Sequence, residues 1–508
     1  MKKRAFLATS FVLAALLLSG CATRPIEPTQ TLNGTEGAVV LKLITAGTGE
    51  LDPADTLSDL AIRRVLNPGE EATGQDSAVL LRRRTTTLST AVFSGMVRPG
   101  RYTLVQLSGG RGNMSYYYPL SQRFGTFEVR QGEVTLLGTL VMHPTTGRGF
   151  VTGYVAPEAD MMATVKELYP ALARQTQGRP ALGFDPDSRL AAQAGLMPRI
   201  KMLASTWNGL NQSADGEFLA GSKLGKVLWR KADSSRWQEL EIGTLREVAF
   251  VRRWQGGLLA AGEEGLLALS DGQGQNWKML NPPDNAFIAV AQPLPDGRIA
   301  AFVRRDRVWT AYAGSGTDTI VWQKLGSFDD SMSLNIGWKR SMAIALPDRA
   351  GIVLPNGEMH LYDGQSLHRR ATGQSTLAIQ GQPDGSIVAR VATVATSTLI
   401  SRDGGTTWSD TGLGRFALTQ AFKDATTGYA LTAINPGLFP GPYGLMTTRD
   451  GGKTWVHTGE SPGLAGKLAV LEMAVDRKDG SLLAFLPDNA IVRSTDEGAT
   501  WRIVKDLR

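Results

Sequence analysis

Apolar and polar positions alternate with the period of β-strands over most of the chain. Residues 38–44 (AVVLKLI) are apolar enough for a buried strand, 87–93 alternate weakly, and 100–107 (GRYTLVQL) alternate well. Residues 125–129 and 133–141 predict two more strands, joined by a turn at Arg130-Gln131-Gly132. Short strands at this spacing predict a β-sandwich over 37–157. The period changes over 158–199. There Met162, Val165, Leu168 and Leu172 keep helical spacing, Pro170 marks a kink or a stop, and 188–196 predicts a second short helix. This stretch reads as a helical connector packed on the domain beyond it, with a helix that docks on a partner as the alternative.

From about residue 200 to 508 one eight-residue pattern organises the chain. It stands as Ser401, Asp403, Gly405, Thr407 and Trp408 within SRDGGTTW, then as Thr448, Asp450, Gly452, Thr454 and Trp455, and then as Ser494, Asp496, Gly498, Thr500 and Trp501. A worn copy runs through Ser270, Gly274 and Trp277, with the acid moved one place to Asp271 and Asn276 in place of the threonine. The residue types suit a hairpin turn: the Asp accepts backbone N–H groups, the Gly takes a positive φ, and the Thr and Trp open the return strand. A Trp at the same point of each unit predicts a wedge between neighbouring units. Filling the gaps with weaker turns gives the series Trp237, Trp277, Trp322, Leu367, Trp408, Trp455, Trp501, with steps of 40, 45, 45, 41, 47 and 46. Those steps predict seven four-stranded units, hence an all-β chain with a seven-bladed β-propeller after the sandwich.

The S-x-D-x-G-x-T-W form resembles the Asp-box, or BNR repeat, of sialidase-like β-propellers. The resemblance implies that the first strand of each unit is innermost and that the box is a structural turn between the third and fourth strands. A ligand then belongs on the opposite face, among the second-to-third turns and the links between units. The repeats are also similar to the photosystem II assembly factors of plants and cyanobacteria, which implies a chaperone-like binding role without catalysis. Residues 97–104 (VRPGRYTL) resemble the proline-glycine turn and Tyr-bearing strand of transthyretin-like or Ig-like sandwich modules.

Lys2-Lys3-Arg4 and a 13-residue apolar run over 6–18 predict a secretory leader at 1–20, since the run is too short to span a membrane. Its ending, Leu18-Ser19-Gly20-Cys21, resembles the lipobox of bacterial lipoproteins. The resemblance implies a lipidated Cys21, a tether over 21–36, attachment to a membrane through the lipid, and, with Ala22 next, the outer membrane with the body facing the periplasm. Several acyl chains exceed what stable anchoring needs. Cys21 is the single cysteine, so no intramolecular disulfide is available. The formal charge of +7 includes three cations of the leader, and 7 − 3 leaves +4 for the remainder. That is too little for a nucleic-acid binder.

Catalytic signals are sparse. The Phe/Tyr-Arg-Ile-Pro motif expected of sialidases before the first box is missing, and Met197-Pro198-Arg199-Ile200 has similar letters in another order. His143, His360, His368 and His457 stand apart, so no metal and no cofactor is expected. Gly109-Gly110-Arg111-Gly112 opens no helix and is not a phosphate loop. Tyr116-Tyr117-Tyr118 reads either as a contact patch or as one core ring with two half-covered neighbours. What remains is a candidate binding rim of Arg304, Arg305, Arg307, Lys339, Arg340, Phe439 and Tyr443, suited to an acidic protein or an anionic glycan. The expected function is a non-catalytic envelope scaffold for a protein or glycan partner, with a sialidase-like glycoside hydrolase as the alternative.

Overall fold

The computed structural model describes residues 26–505 apart from 33, 48–56, 72, 74–75, 84–89, 112–113, 122, 146–148, 177–182, 205–207, 214, 331–340, 383, 393–395, 414–416, 434–442, 461–471 and 487–489. The leader, Cys21, Lys339, Arg340 and Phe439 lie outside the described residues. The chain is mostly β and divides into two compact units, 1–204 and 205–508.

Among the described residues the N-terminal unit holds nine strands: β1 (Gly37–Thr45), β2 (Leu57–Arg64), β3 (Ser77–Arg83), β4 (Thr90–Val97), β5 (Gly100–Arg111), β6 (Met114–Pro119), β7 (Thr126–Val129), β8 (Val134–Pro144) and β9 (Phe150–Val155). They bond into one mixed sheet in the order β6-β5-β2-β3-β4-β1-β8-β9, with β7 also on β5 and with β1 and β8 parallel. The expected sandwich of two separate sheets is thus replaced by a single sheet. Tyr118 of β6 and Phe150 of β9, from the two ends of that order, pack edge to face with ring centroids 4.7 Å apart. All nine residues of β1 are buried, because Val39, Leu41 and Leu43 enter the core on one face while Ala38 and Val40 enter a second cluster on the other. The turn at 130–132 is present, with Glu133 N donating to the Arg130 carbonyl at 3.2 Å. Tyr102 is buried, and its hydroxyl donates to the Arg98 carbonyl at 3.0 Å, which pins the Pro-Gly turn to the strand after it. Of the three tyrosines, Tyr116 and Tyr118 pack on the core and Tyr117 is 63% exposed.

The second cluster is closed by helices. Helix α1 (Ala159–Leu168) stops at Tyr169 and α2 (Pro170–Thr176) begins on the proline, as its missing N–H requires at a first helical position. The buried face is Met161, Val165, Tyr169 and Leu172, whereas Met162, expected inside, is exposed and Leu168 only packs at the margin. Tyr169 takes the inward place because its hydroxyl reaches Ser94 Oγ of β4 at 2.7 Å. Lys42, the one charge in β1, donates to Thr164 Oγ1 of α1 at 3.2 Å. Helices α3 (Ser188–Gly195) and α4 (Met197–Leu203) come next. Gly153 of β9 lies so close to Met197 and Ile200 of α4 that a Cβ would meet Met197 Sδ at 2.5 Å. The helical stretch expected as a connector is therefore part of the N-terminal unit, covering its sheet.

Among the described residues the C-terminal unit shows seven antiparallel four-stranded sheets, each built from four consecutive strands: 208–241, 248–279, 287–329, 342–371, 375–410, 419–460 and 472–505. The series residue stands at or beside the start of the fourth strand in every one, from Trp237 to Trp501. Neighbouring sheets share apolar cores, for example Leu219 and Trp229 of the first with Val251 and Leu258 of the second. The first and seventh sheets share one too: Phe218, Leu228 and Trp237 pack with Leu483, Phe485 and Ile491. That junction carries a buried ion pair in which the Arg230 guanidinium grips both carboxylate oxygens of Asp476, and its Nη2 also donates to the Gly216 carbonyl at 3.0 Å.

Candidate functional site

The repeated octets are self-contained turns between third and fourth strands. Asp403 Oδ1 accepts from Ser401 Oγ at 2.8 Å and from Thr407 N at 2.9 Å, and its Oδ2 accepts from Thr407 Oγ1 at 2.6 Å. Ser401 Oγ in turn accepts from Gly405 N at 2.8 Å. Asp450 and Asp496 repeat the pattern with Thr448, Gly452 and Thr454, and with Ser494, Gly498 and Thr500. Gly405, Gly452 and Gly498 have φ of +86°, +95° and +93°, where a Cβ is disfavoured. The threonine hydroxyl bonds hold all three carboxyl groups well below the ordinary Asp range, Asp496 at about 2. In the worn copy, Asn276 Nδ2 donates to Asp271 Oδ2 at 2.7 Å and so takes over the threonine hydroxyl's part. The indoles reach the preceding sheet: Trp408 Nε1 donates to the Ala371 carbonyl at 3.0 Å and Trp455 Nε1 to the Thr411 carbonyl at 2.6 Å. With every carboxylate oxygen engaged inside its own turn, these acids hold the fold.

The rim arginines sit where they are expected, around the turn from the second to the third strand of the third sheet. Arg304 is ion-paired with Asp330 at 2.9 Å and Arg305 with Asp284, while Arg307 is exposed. Two of the three cations are therefore matched by acids of the same sheet and its entry. Tyr443 is half-buried against the core of the sixth and seventh sheets. The histidines serve local structure. His360 Nε2 bonds Glu358 at 2.7 Å and stacks on Phe328, His368 bonds Asp363 at 2.7 Å, and His143 bonds the Leu203 carbonyl at 3.2 Å. Among the described residues no cluster of His, Cys, Asp and Glu could hold a metal ion.

The innermost strands Asn208–Gln212, Val248–Trp254, Phe287–Pro293, Met342–Leu346, Ser375–Gly381, Thr419–Phe422 and Glu472–Val475 all contribute to one cavity of about 1060 Å3. Most of its wall is apolar, with Phe250, Met342, Ile344 and Ile379 among the lining residues. Three carboxylates at the turns on one side are engaged: Asp384 with Ser386, Asp424 with Thr426 and Thr427, and Asp476 with Arg230. Two charged groups on the strands themselves differ from these. Glu472 accepts from Gln380 Nε2 of the fifth sheet at 2.8 Å, and burial pushes its carboxyl up to about 8, so it is mostly protonated at neutral pH. Arg252 is half-buried and lines the cavity, and the surrounding protein pulls its guanidinium down to about 10. Sequence reasoning passed over both. The available signal was charge in an otherwise apolar first strand, Arg252 and Arg253 in VAFVRRW at 248–254 and Glu472 opening EMAV at 472–475.

No family model and no curated protein matches the chain. Solved structures similar to it include the Myceliophteria thermophila Cps50 (Swd1) β-propeller domain, 14% identical, covering 56% of this chain and 94% of that one with a TM-score of 0.39. YCF48 bound to D1 peptide is 14% identical over 58% of this chain and 92% of that one, with a TM-score of 0.41. A chain of the mitotic checkpoint complex is 12% identical over 59% and 88%, with a TM-score of 0.40. By its own geometry, consecutive four-stranded meanders with their first strands around one cavity, the C-terminal unit is a β-propeller.

Proposed function

We propose that the protein is a cell-envelope lipoprotein whose seven-bladed propeller, closed between its first and last sheets, is a non-catalytic scaffold for a protein or glycan partner. In this reading Cys21 carries the lipid, residues 21–36 are the tether, and the body faces the periplasm from the outer membrane. The observation that carries the binding reading is the state of the acids around the cavity. Asp384, Asp424 and Asp476 are each engaged in a turn or an ion pair, so that among the described residues of the cavity Glu472 is the one acid outside such an arrangement, where glycoside hydrolysis uses a facing pair. The partner is sought on the face of the second-to-third turns, where Arg307 is exposed.

Capture from envelope extracts tests this directly. A partner retained by the wild-type chain is expected to be depleted when Arg304, Arg305 and Arg307 are all Ala, and an unchanged set of retained proteins and glycans counts against the rim. Labelling with a palmitate analogue is expected for the wild type and lost in Cys21→Ser; equal labelling of both refutes the lipoprotein assignment. One observation favours the rival glycosidase reading, namely that Glu472 is protonated at neutral pH, as a general acid must be. Turnover of fluorogenic glycosides that disappears in Glu472→Gln would replace the scaffold by a hydrolase.

A further inference from the structure

The central cavity holds an electrostatic mismatch that the fold does not resolve. Among the described residues Arg252 has no carboxylate in ion-pair range, and its Nε is buried without a hydrogen-bond partner. The nearest aromatic ring, Phe250, lies 5.8 Å from its Cζ, on the same strand. Of the other charges on the cavity, Lys423 and Arg477 have the same sign as Arg252, burial pushes the Glu472 carboxyl up, Asp476 is bound by Arg230, and Asp384 and Asp424 are bound within their turns. A cation held out of bulk water with no opposite charge is costly, and proteins keep such groups where a ligand supplies the missing charge.

Two neutral groups point the same way. Gln292 and Gln382, each 5% exposed, line the same cavity on the third and fifth sheets. Gln292 Oε1 and Gln382 Nε2 are buried without partners among the described residues. One unmatched guanidinium, one unmatched acceptor, one unmatched donor and a wall of mixed polar and apolar residues are a set of complementary features, not a packed core.

We propose that the propeller cavity is a binding site for a small organic monoanion, a carboxylic acid with an apolar body, whose carboxylate is received by Arg252. A single guanidinium presents a planar fork that matches one carboxylate. The apolar body lies against Phe250, Met342 and Ile344, and the amides of Gln292 and Gln382 select polar substituents on it. This site goes beyond a scaffold role, since it is formed by the innermost strands and is separate from the rim at the third sheet's outer turn.

The test is calorimetric titration of the full chain with a set of monocarboxylates running from acetate through benzoate to 3-phenylpropionate, each beside its uncharged amide, at fixed ionic strength. At least one acid is expected to bind saturably at one site, with its amide weaker by about tenfold or more. Arg252→Met is expected to abolish that binding while raising the Tm of the unliganded protein, because it deletes an uncompensated buried charge. Arg252→Lys keeps the charge, loses the fork, and is expected to weaken binding by about tenfold. It also serves should the Met variant not fold. The assignment is overturned by any of three results: no acid of the set binds, binding survives the loss of the guanidinium within about twofold, or removing the guanidinium lowers the unliganded Tm and so marks it as structural.

Discussion

The junction between the first and seventh sheets offers the sharpest perturbation. Each sheet is made of its own four consecutive strands, so among the described residues no strand pairing crosses the junction, and side-chain contacts join its two sides. At its centre the Arg230 and Asp476 side chains are 4% and 1% exposed. The guanidinium also lies 4.7 Å from the Phe218 ring centroid and 5.3 Å from Trp237. Asp476→Asn keeps the shape and leaves Arg230 buried without its counter-charge, and Arg230→Met leaves the aspartate so. Each is expected to cost about 3–5 kcal/mol. The double variant leaves neither charge, and it is expected to be more stable than the sum of the singles by at least ~2 kcal/mol. Urea unfolding followed by tryptophan fluorescence measures all four proteins, with hydrogen exchange of the sheet-one and sheet-seven amides as the local readout. Singles costing less than about 1 kcal/mol, the level of an exposed pair, or a double variant that is simply additive, would refute the claim that this pair secures the ring.

The geometry carries three further expected outcomes. The carboxyl groups of Asp403, Asp450 and Asp496 are held below their ordinary value of 3.8, so their contribution is present above that pH and is lost as pH falls toward about 2; melting from pH 5 to pH 2 should show a decline that the triple Asn variant lacks. Glu472 has the opposite sign: raised by burial from 4.5 to about 8, it favours folding below pH 4.5 and opposes it progressively as pH rises to 8, by roughly a few kcal/mol in all. Arg252, Lys423 and Arg477, with Asp384, Asp424 and Asp476, are the other charges on that cavity, and Glu472→Gln should flatten the slope of stability between pH 5 and 8 while keeping the Gln380 bond. Tyr102→Phe leaves the Arg98 carbonyl without its hydroxyl partner at an exposed turn and should cost about 1 kcal/mol or less, measured by urea midpoint at unchanged m-value.

What could be read from the chain without coordinates was everything carried by short range. The octets announce themselves because Asp, Gly, Thr and Trp act within eight residues of one another, and the turn they form closes on its own hydrogen bonds. The break at Pro170 was equally local, since a proline lacks the N–H that the helix interior demands. The period of the tryptophans, with Leu367 filling one gap, was legible because each of these residues stands at or beside the start of a fourth strand.

Tertiary structure alone decided the rest. Whether nine N-terminal strands make two sheets or one depends on pairings such as β1 with β8, whose partners lie about a hundred residues apart and leave no periodic trace. Which helix face turns inward was settled by Tyr169 meeting Ser94, 75 positions away. Arg304 and Arg305 read as free cations until Asp330 and Asp284 were seen beside them. Arg230 and Asp476 are separated by 246 positions, and Arg252 and Glu472 became notable only when seven strands enclosed them in one hollow. Burial and charge pairing are properties of what surrounds a side chain, and in a ring of sheets those surroundings come from distant parts of the chain.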